Sequence, residues 1–80
     1  MKIYTLLIKA NGYDAYIYRK AFTKKEDVFP EIENYALIRG YSEVRIMENI
    51  DDQCTKIIYG SRAYPDLKIV FIIKEVEVIE

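Results

Sequence analysis

The feature that most constrains this chain is an unbroken apolar run near its carboxyl end, residues 69–73. The run lies in a predicted strand over 67–78, and a strand that is apolar on both sides is usually central in its sheet and covered on both faces. It is far shorter than the ~20 residues of a membrane-spanning helix. Because 80 residues form a single domain, few other elements are available to cover this strand.

A hairpin is predicted at the other end of the chain. Asn11 and Gly12 stand between two apolar stretches, which is the favoured pattern for a two-residue type I′ turn. The pattern predicts strands over 2–10 and 13–21. The turn length sets a predicted register, in which the opposed pairs are Ala10 and Tyr13, Lys9 and Asp14, Leu7 and Tyr16, and Thr5 and Tyr18.

Alternation sorts this hairpin into two faces, of which the more apolar is the predicted core face. The core face comprises Tyr4, Leu6, Ile8, Ala10, Tyr13, Ala15, Ile17 and Arg19. The opposite face comprises Ile3, Thr5, Leu7, Lys9, Asp14, Tyr16, Tyr18 and Lys20. The second face is amphipathic and carries two tyrosines.

A helix follows, and two starts are consistent with the sequence. Thr23 and Glu26 have the spacing of a capping box, but Pro30 would then lie inside the helix and kink it. With Asp27 as the N-cap, Pro30 falls in the first turn, where it is tolerated. Gly40 is a suitable residue for the end of the helix. The residues at helical spacing on one side are Val28, Phe29, Ile32, Tyr35 and Ala36.

Three further strands are predicted, over 44–50, 55–59 and 67–78, with Val44, Ile46 and Ile50 directed inward. Short polar turns separate them, so neighbouring strands can pair antiparallel. The expected fold class is α+β: a single domain over 1–80, a mostly antiparallel five-stranded sheet with one helix packed on one face, in the order β-β-α-β-β-β. One helix covers one face, so the other face needs a different cover.

Composition excludes several chemistries. The chain has no histidine, which removes Ser-His-Asp and Cys-His catalysis and the commonest zinc ligand. Cys54 is the only cysteine, so no intramolecular disulfide can form, and we expect a reducing, cytoplasmic location. Cys54 itself is expected to be a buried or half-buried strand residue.

The acidic groups have simpler explanations than catalysis or metal binding. Asp51 and Asp52 lack the glycine and glutamate of an EF-hand loop and are typical of a solvated turn. The glutamates of the last strand are typical of residues that discourage sheet aggregation. The isolated glycines form no phosphate-binding loop. We therefore expect no enzymatic activity, no cofactor and no metal site.

The leading functional hypothesis is a protein-binding module that uses the sheet face without the helix. Tyrosine combines apolar area with a hydroxyl that can stay hydrated, which suits binding surfaces. The partner is a different protein or a second copy of the chain, and no membrane is involved. The candidate partner-binding residues are Leu7, Tyr16, Tyr18, Lys20, Val70 and Ile72.

Chain length and the β-β-α-β order are broadly similar to those of small phage or mobile-element proteins that inhibit host defence complexes, anti-CRISPR proteins among them. The resemblance implies an inhibitor, and no residue motif accompanies it, so no site is carried over. A self-associating accessory protein is the other version of the hypothesis.

Two alternatives belong to other classes. Sheet tyrosines could stack on single-stranded nucleic acid while Lys9, Arg19 or Lys20 contact phosphates. The near balance of 12 basic and 13 acidic residues argues against this alternative, and the basic cluster with Lys24 and Lys25 is typical of a solvated turn. A small-ligand or enzyme domain would need a pocket of ~300 Å³, for which this chain leaves little volume.

Overall fold

The computed structural model describes residues 1–10 and 15–79. Its elements follow the predicted β-β-α-β-β-β order, with a 3-10 turn added before the helix. They are β1 (Lys2–Ala10), β2 (Ile17–Phe22), the 3-10 turn (Lys25–Asp27), α1 (Val28–Ile38), β3 (Glu43–Asp51), β4 (Cys54–Gly60) and β5 (Lys68–Glu77). The predicted turn at Asn11 and Gly12, and the placement of Tyr13 and Asp14, lie outside the described residues.

The five strands form one antiparallel sheet in the order β2-β1-β5-β4-β3. The strand with the two-sided apolar run, β5, is the central one, as predicted. It pairs with β1 from Lys2 opposite Glu77 to Ala10 opposite Ile69 without a shift in register. This uninterrupted register assigns every side chain of β1 and β5 to one of the two faces.

The helix packs on one face through residues four positions apart. Val28, Ile32 and Ala36 form its fully buried stripe, against the sheet residues of the core. The helix begins where the second of the two predicted starts put it: Asp27 is at the N-cap position, although its side chain makes no capping hydrogen bond, and Pro30 lies in the first turn, where no intrahelical donor is lost. Gly40, after the helix, adopts a φ of 85°, which favours glycine.

Phe71 is the centre of the core and is fully buried. Tyr35 from α1 and Tyr59 from β4 meet its ring edge-on, at centroid distances of 5.9 and 5.7 Å. Such T-shaped pairs contribute about 0.5–1.5 kcal/mol each beyond area burial. The remaining buried cluster around Phe71 is aliphatic: Leu6, Ile8, Val28, Ile32, Ala36, Ile57, Ile69 and Ile73.

The predicted register of β1 and β2 is wrong. Leu7 lies opposite Tyr18 rather than Tyr16, and Thr5 lies opposite Ala21 rather than Tyr18. The strand β2 begins at Ile17, and a bulge between Leu6 and Leu7 moves the pairing by one further residue. A bulge exchanges the two faces of everything beyond it, which alternation alone cannot anticipate.

The predicted inward orientation of Val44, Ile46 and Ile50 is also wrong, since all three are about half exposed, at 52%, 46% and 54%. Their strand, β3, is an edge strand and has a register shift near each end. Val44, opposite Tyr59, is on the helix side but at the edge of the sheet, beyond the short helix, whereas Ile46, opposite Ile58, is on the side without a helix. Apolar residues on β3 consequently remain accessible.

Candidate functional site

The side of the sheet opposite α1 is here called the helix-free face. Its residues follow from the registers of the strands, because core residues such as Leu6, Ile57 and Phe71 mark the other side. On the three central strands the helix-free face comprises Ile3, Thr5, Leu7 and Lys9 of β1, Lys68, Val70, Ile72, Lys74 and Val76 of β5, and Cys54, Lys56, Ile58 and Gly60 of β4.

Most of the predicted binding residues meet on this face. Tyr18, Leu7 and Ile72 lie side by side across β2, β1 and β5. Val70 is the next residue of β5 on the same face. Tyr16 is close to Lys9, the residue opposite Val70, whose Nζ lies 5.6 Å from the Tyr16 ring centroid. The five apolar candidates therefore form one patch.

The solvent exposure of the patch residues rises from a shielded centre to an accessible margin. Val70 and its neighbour Ile58 are both 8% exposed although no described helix or strand lies above them. Leu7 and Ile72 are half-buried, and Tyr18 is 58% exposed. Neighbouring side chains thus shield the centre while leaving an apolar surface open to contact.

Lys20 does not belong to the patch, and its predicted place on the helix-free face is wrong. Beyond the bulge, Lys20 lies opposite the core residue Leu6. Its Nζ is 5.2 Å from the ring centroid of Phe22, a ring that packs against the core. The bulge therefore moves this cation to the side of the sheet that carries the helix.

Four other lysines occupy the helix-free face and were not predicted as a group. They are here called the face lysines: Lys9, Lys56, Lys68 and Lys74. No acidic residue of β1, β4 or β5 points to this face; the acidic residues of these strands, Glu75 and Glu77, are on the helix side. None of the face lysines joins an ion pair with another described residue.

Strand β3 contributes the acidic margin of the face and one further cation. Glu48 lies opposite Lys56, and Glu43 is bound by Arg62 at 2.8 Å. Arg45 lies across Gly60 on the helix-free face and donates hydrogen bonds to two backbone carbonyls of the following loop. The acidic side chains of the face are therefore confined to its edge.

A groove of about 310 Å³ opens on the helix side, a larger volume than we expected beside the core of so short a chain. Its described lining is apolar except for two tyrosines and an arginine: Ile8, Ala10, Ile17, Tyr18, Arg19 and Tyr35. Tyr18 is on the edge strand β2, so it borders this groove as well as the helix-free face. Arg19 is already engaged, with Nη2 3.1 Å from Glu31 Oε1 and its guanidinium over the Tyr35 ring. No carboxylate is among these lining residues, so they supply no acid–base pair.

The structure also shows the surroundings of Cys54, Asp51 and Tyr59. Cys54 is half-buried in β4, as predicted. Asp51 accepts a hydrogen bond from the backbone of Gln53 within the predicted turn. Burial, followed by the Glu33 carboxylate, raises the pKa of Tyr59 above its ordinary value of 10.0. No described group of three or more acidic or sulfur side chains has an arrangement suited to a metal ion.

Comparison with known proteins adds no functional information. No family model matches the chain, and no curated protein or solved structure is significantly similar to it. Within the described part of the chain, no helix has the length and apolar character needed to cross a membrane. The helix-free face is therefore the remaining guide to function.

Proposed function

We propose that this protein is a non-enzymatic binding module that docks on a partner protein through the helix-free face. The observation that supports the proposal is an apolar patch in which the accessible side chains of Tyr18, Leu7, Ile72 and Ile46 flank the shielded Val70 and Ile58. Accessible apolar side chains grouped in this way on a small domain mark an interaction surface. Aromatic residues at its margin are typical of interfaces.

Photo-crosslinking in cells tests the proposal with a matched control. Tyr18 on the patch and Tyr64 in the β4–β5 loop have similar exposure, 58% and 65%, and each is replaced by p-benzoylphenylalanine. We expect a discrete adduct from position 18 and none from position 64. Mass spectrometry identifies the adduct, and a mass of twice the chain identifies a second copy.

A second pair of variants tests whether docking depends on the apolar patch. Ile72→Glu places a charge within the accessible part of the patch, whereas Ile38→Glu makes the same change on the exposed surface of α1. We expect the position-18 adduct to disappear with Ile72→Glu and to persist with Ile38→Glu. Circular dichroism verifies that both variants are folded. An adduct unaffected by a folded Ile72→Glu variant would contradict docking at this surface.

Binding of single-stranded nucleic acid is the second candidate function. It is favoured by the exposed rings of Tyr16 and Tyr18 and by the cation of Lys9 beside the first of them. Titration with a fluorescent oligothymidylate at low salt tests this function. Salt-sensitive binding that is lost in the Tyr16→Ala/Tyr18→Ala variant would support it.

A further inference from the structure

The central strands separate charge between the two sides of the sheet, although the chain as a whole has a formal charge of −1. On β1, β4 and β5, the charged residues of the helix-free face are the four face lysines, with no acidic residue among them. Lys9 and Lys56 are half-buried, so their stems lie along the apolar patch that the proposed function uses.

From this arrangement, and resting on the proposed docking function, we infer that the partner is a protein with an acidic contact surface around an apolar centre. A partner that covers Leu7 and Ile72 must also remove water from Lys9, Lys56 and Lys74, which are their neighbours in the sheet. Removing water from an unpaired ammonium group is costly unless the partner supplies an opposite charge. Carboxylates on the partner satisfy this requirement.

The spacing of the lysines restricts where those carboxylates lie. Lys56 and Lys74 occupy adjacent strands and are displaced by two residues along them. With strands 4.8 Å apart and a rise of 3.3 Å per residue, their Cβ atoms are separated by about 8 Å. The acidic groups of the partner are therefore expected to flank its apolar centre at a similar spacing.

A second copy of the chain is a poorer occupant of this face. Isologous pairing would bring the same face of each copy together and so bring two sets of face lysines into one interface, with Glu43, Glu48 and Asp51 only at the margin. Like charges that face one another in an interface disfavour the complex. The face lysines thus oppose self-association while favouring an acidic partner.

Nucleic acid also fits this surface less well than an acidic protein. The helix-free sides of the three central strands carry aliphatic residues such as Leu7, Ile58 and Ile72 and no aromatic ring. Base recognition on open sheets depends on aromatic side chains that stack with the bases. The tyrosines of this face lie toward β2, at one edge.

Charge reversal tests the inference on the partner identified from the position-18 adduct. Lys56→Glu/Lys74→Glu reverses two face lysines, and Lys24→Glu/Lys25→Glu makes the same change in net charge beside the 3-10 turn. We expect the first variant to weaken the affinity by about tenfold or more and the second to change it by about twofold or less. Raising the salt concentration should weaken partner binding by the parent and by the Lys24→Glu/Lys25→Glu control, but not by the Lys56→Glu/Lys74→Glu variant.

The outcomes separate the inference from the proposed function. A position-18 adduct whose affinity is unchanged by Lys56→Glu/Lys74→Glu overturns the acidic partner and leaves docking intact. An adduct with a second copy, or oligothymidylate binding that is lost in the same variant, also overturns it. Absence of any adduct at position 18 contradicts the docking function and removes the basis of the inference.

Discussion

The guanidinium of Arg45 lies over the backbone of Gly60, in the space that a Cβ atom at Gly60 would occupy. From this position Nη1 donates to the carbonyl of Pro65 at 2.7 Å and Nη2 to that of Ser61 at 3.1 Å. The absence of a side chain at Gly60 therefore allows an edge strand to hold the loop that leads into β5. This contact ties the margin of the helix-free face to the loop that precedes its central strand.

A double-mutant cycle tests this relationship. In the parent, Gly60→Ala should displace Arg45 and weaken both hydrogen bonds, which lowers the free energy of unfolding by up to about 1 kcal/mol. In an Arg45→Ala background the same change should be neutral or stabilising by about 0.5–1 kcal/mol, because alanine loses less backbone entropy than glycine. Urea denaturation measures the free energy of unfolding of the parent, the two single variants and the double variant. Additive effects of the two substitutions would contradict the contact.

The contribution of Phe71 to the stability of the fold is predicted to depend on its two aromatic neighbours. Phe71→Leu keeps an apolar residue in the core but removes the edge-on contacts with Tyr35 and Tyr59, so we expect a loss of about 2 kcal/mol. Ile69→Leu, at an equally buried position of β5, should cost less than about 1.5 kcal/mol. Thermal denaturation compares the two variants, and an equal fall in Tm would show that the aromatic contacts contribute little.

Tyr59 is predicted to make stability depend on pH in alkaline solution. Burial and the nearby Glu33 carboxylate raise its pKa above 10.0 in the folded state, so folding favours the protonated phenol. This contribution is fully present below the unfolded pKa and is lost as the pH rises through the folded pKa. The free energy of unfolding of the parent should therefore fall more steeply above about pH 10 than that of Tyr59→Phe.

The parent and the Tyr59→Phe variant share every other tyrosine. The difference between their free energies of unfolding as the pH rises is therefore due to Tyr59. Glu33→Gln should reduce the shift only in part, because the carboxylate is the smaller of the two causes. Ultraviolet difference absorbance of tyrosinate, parent minus Tyr59→Phe, gives the midpoint directly. A midpoint at or below 10.0 would contradict the predicted shift.

Sequence periodicity identified the elements because it reflects local geometry. Residues 69–73 could be apolar on both sides only in a central strand, and β5 lies at the centre of the sheet. Alternation placed Val70 and Ile72 together on one side of β5 because successive strand residues point to opposite sides, and the pairing with β1 put Leu7 on that same side. Pro30 and Gly40 similarly marked the two ends of the helix through their backbone preferences.

The tertiary structure alone decided which strands are neighbours, where the register shifts, and therefore how charge is distributed. The bulge opposite Leu6 and Leu7 moved Lys20 to the helix side, and no local pattern encodes that insertion. The net charge of the chain is a sum over all residues, so it concealed the separation of four lysines from the acidic residues of the same strands. That separation arises from pairing between segments distant in sequence, which depends on the packing of the whole domain.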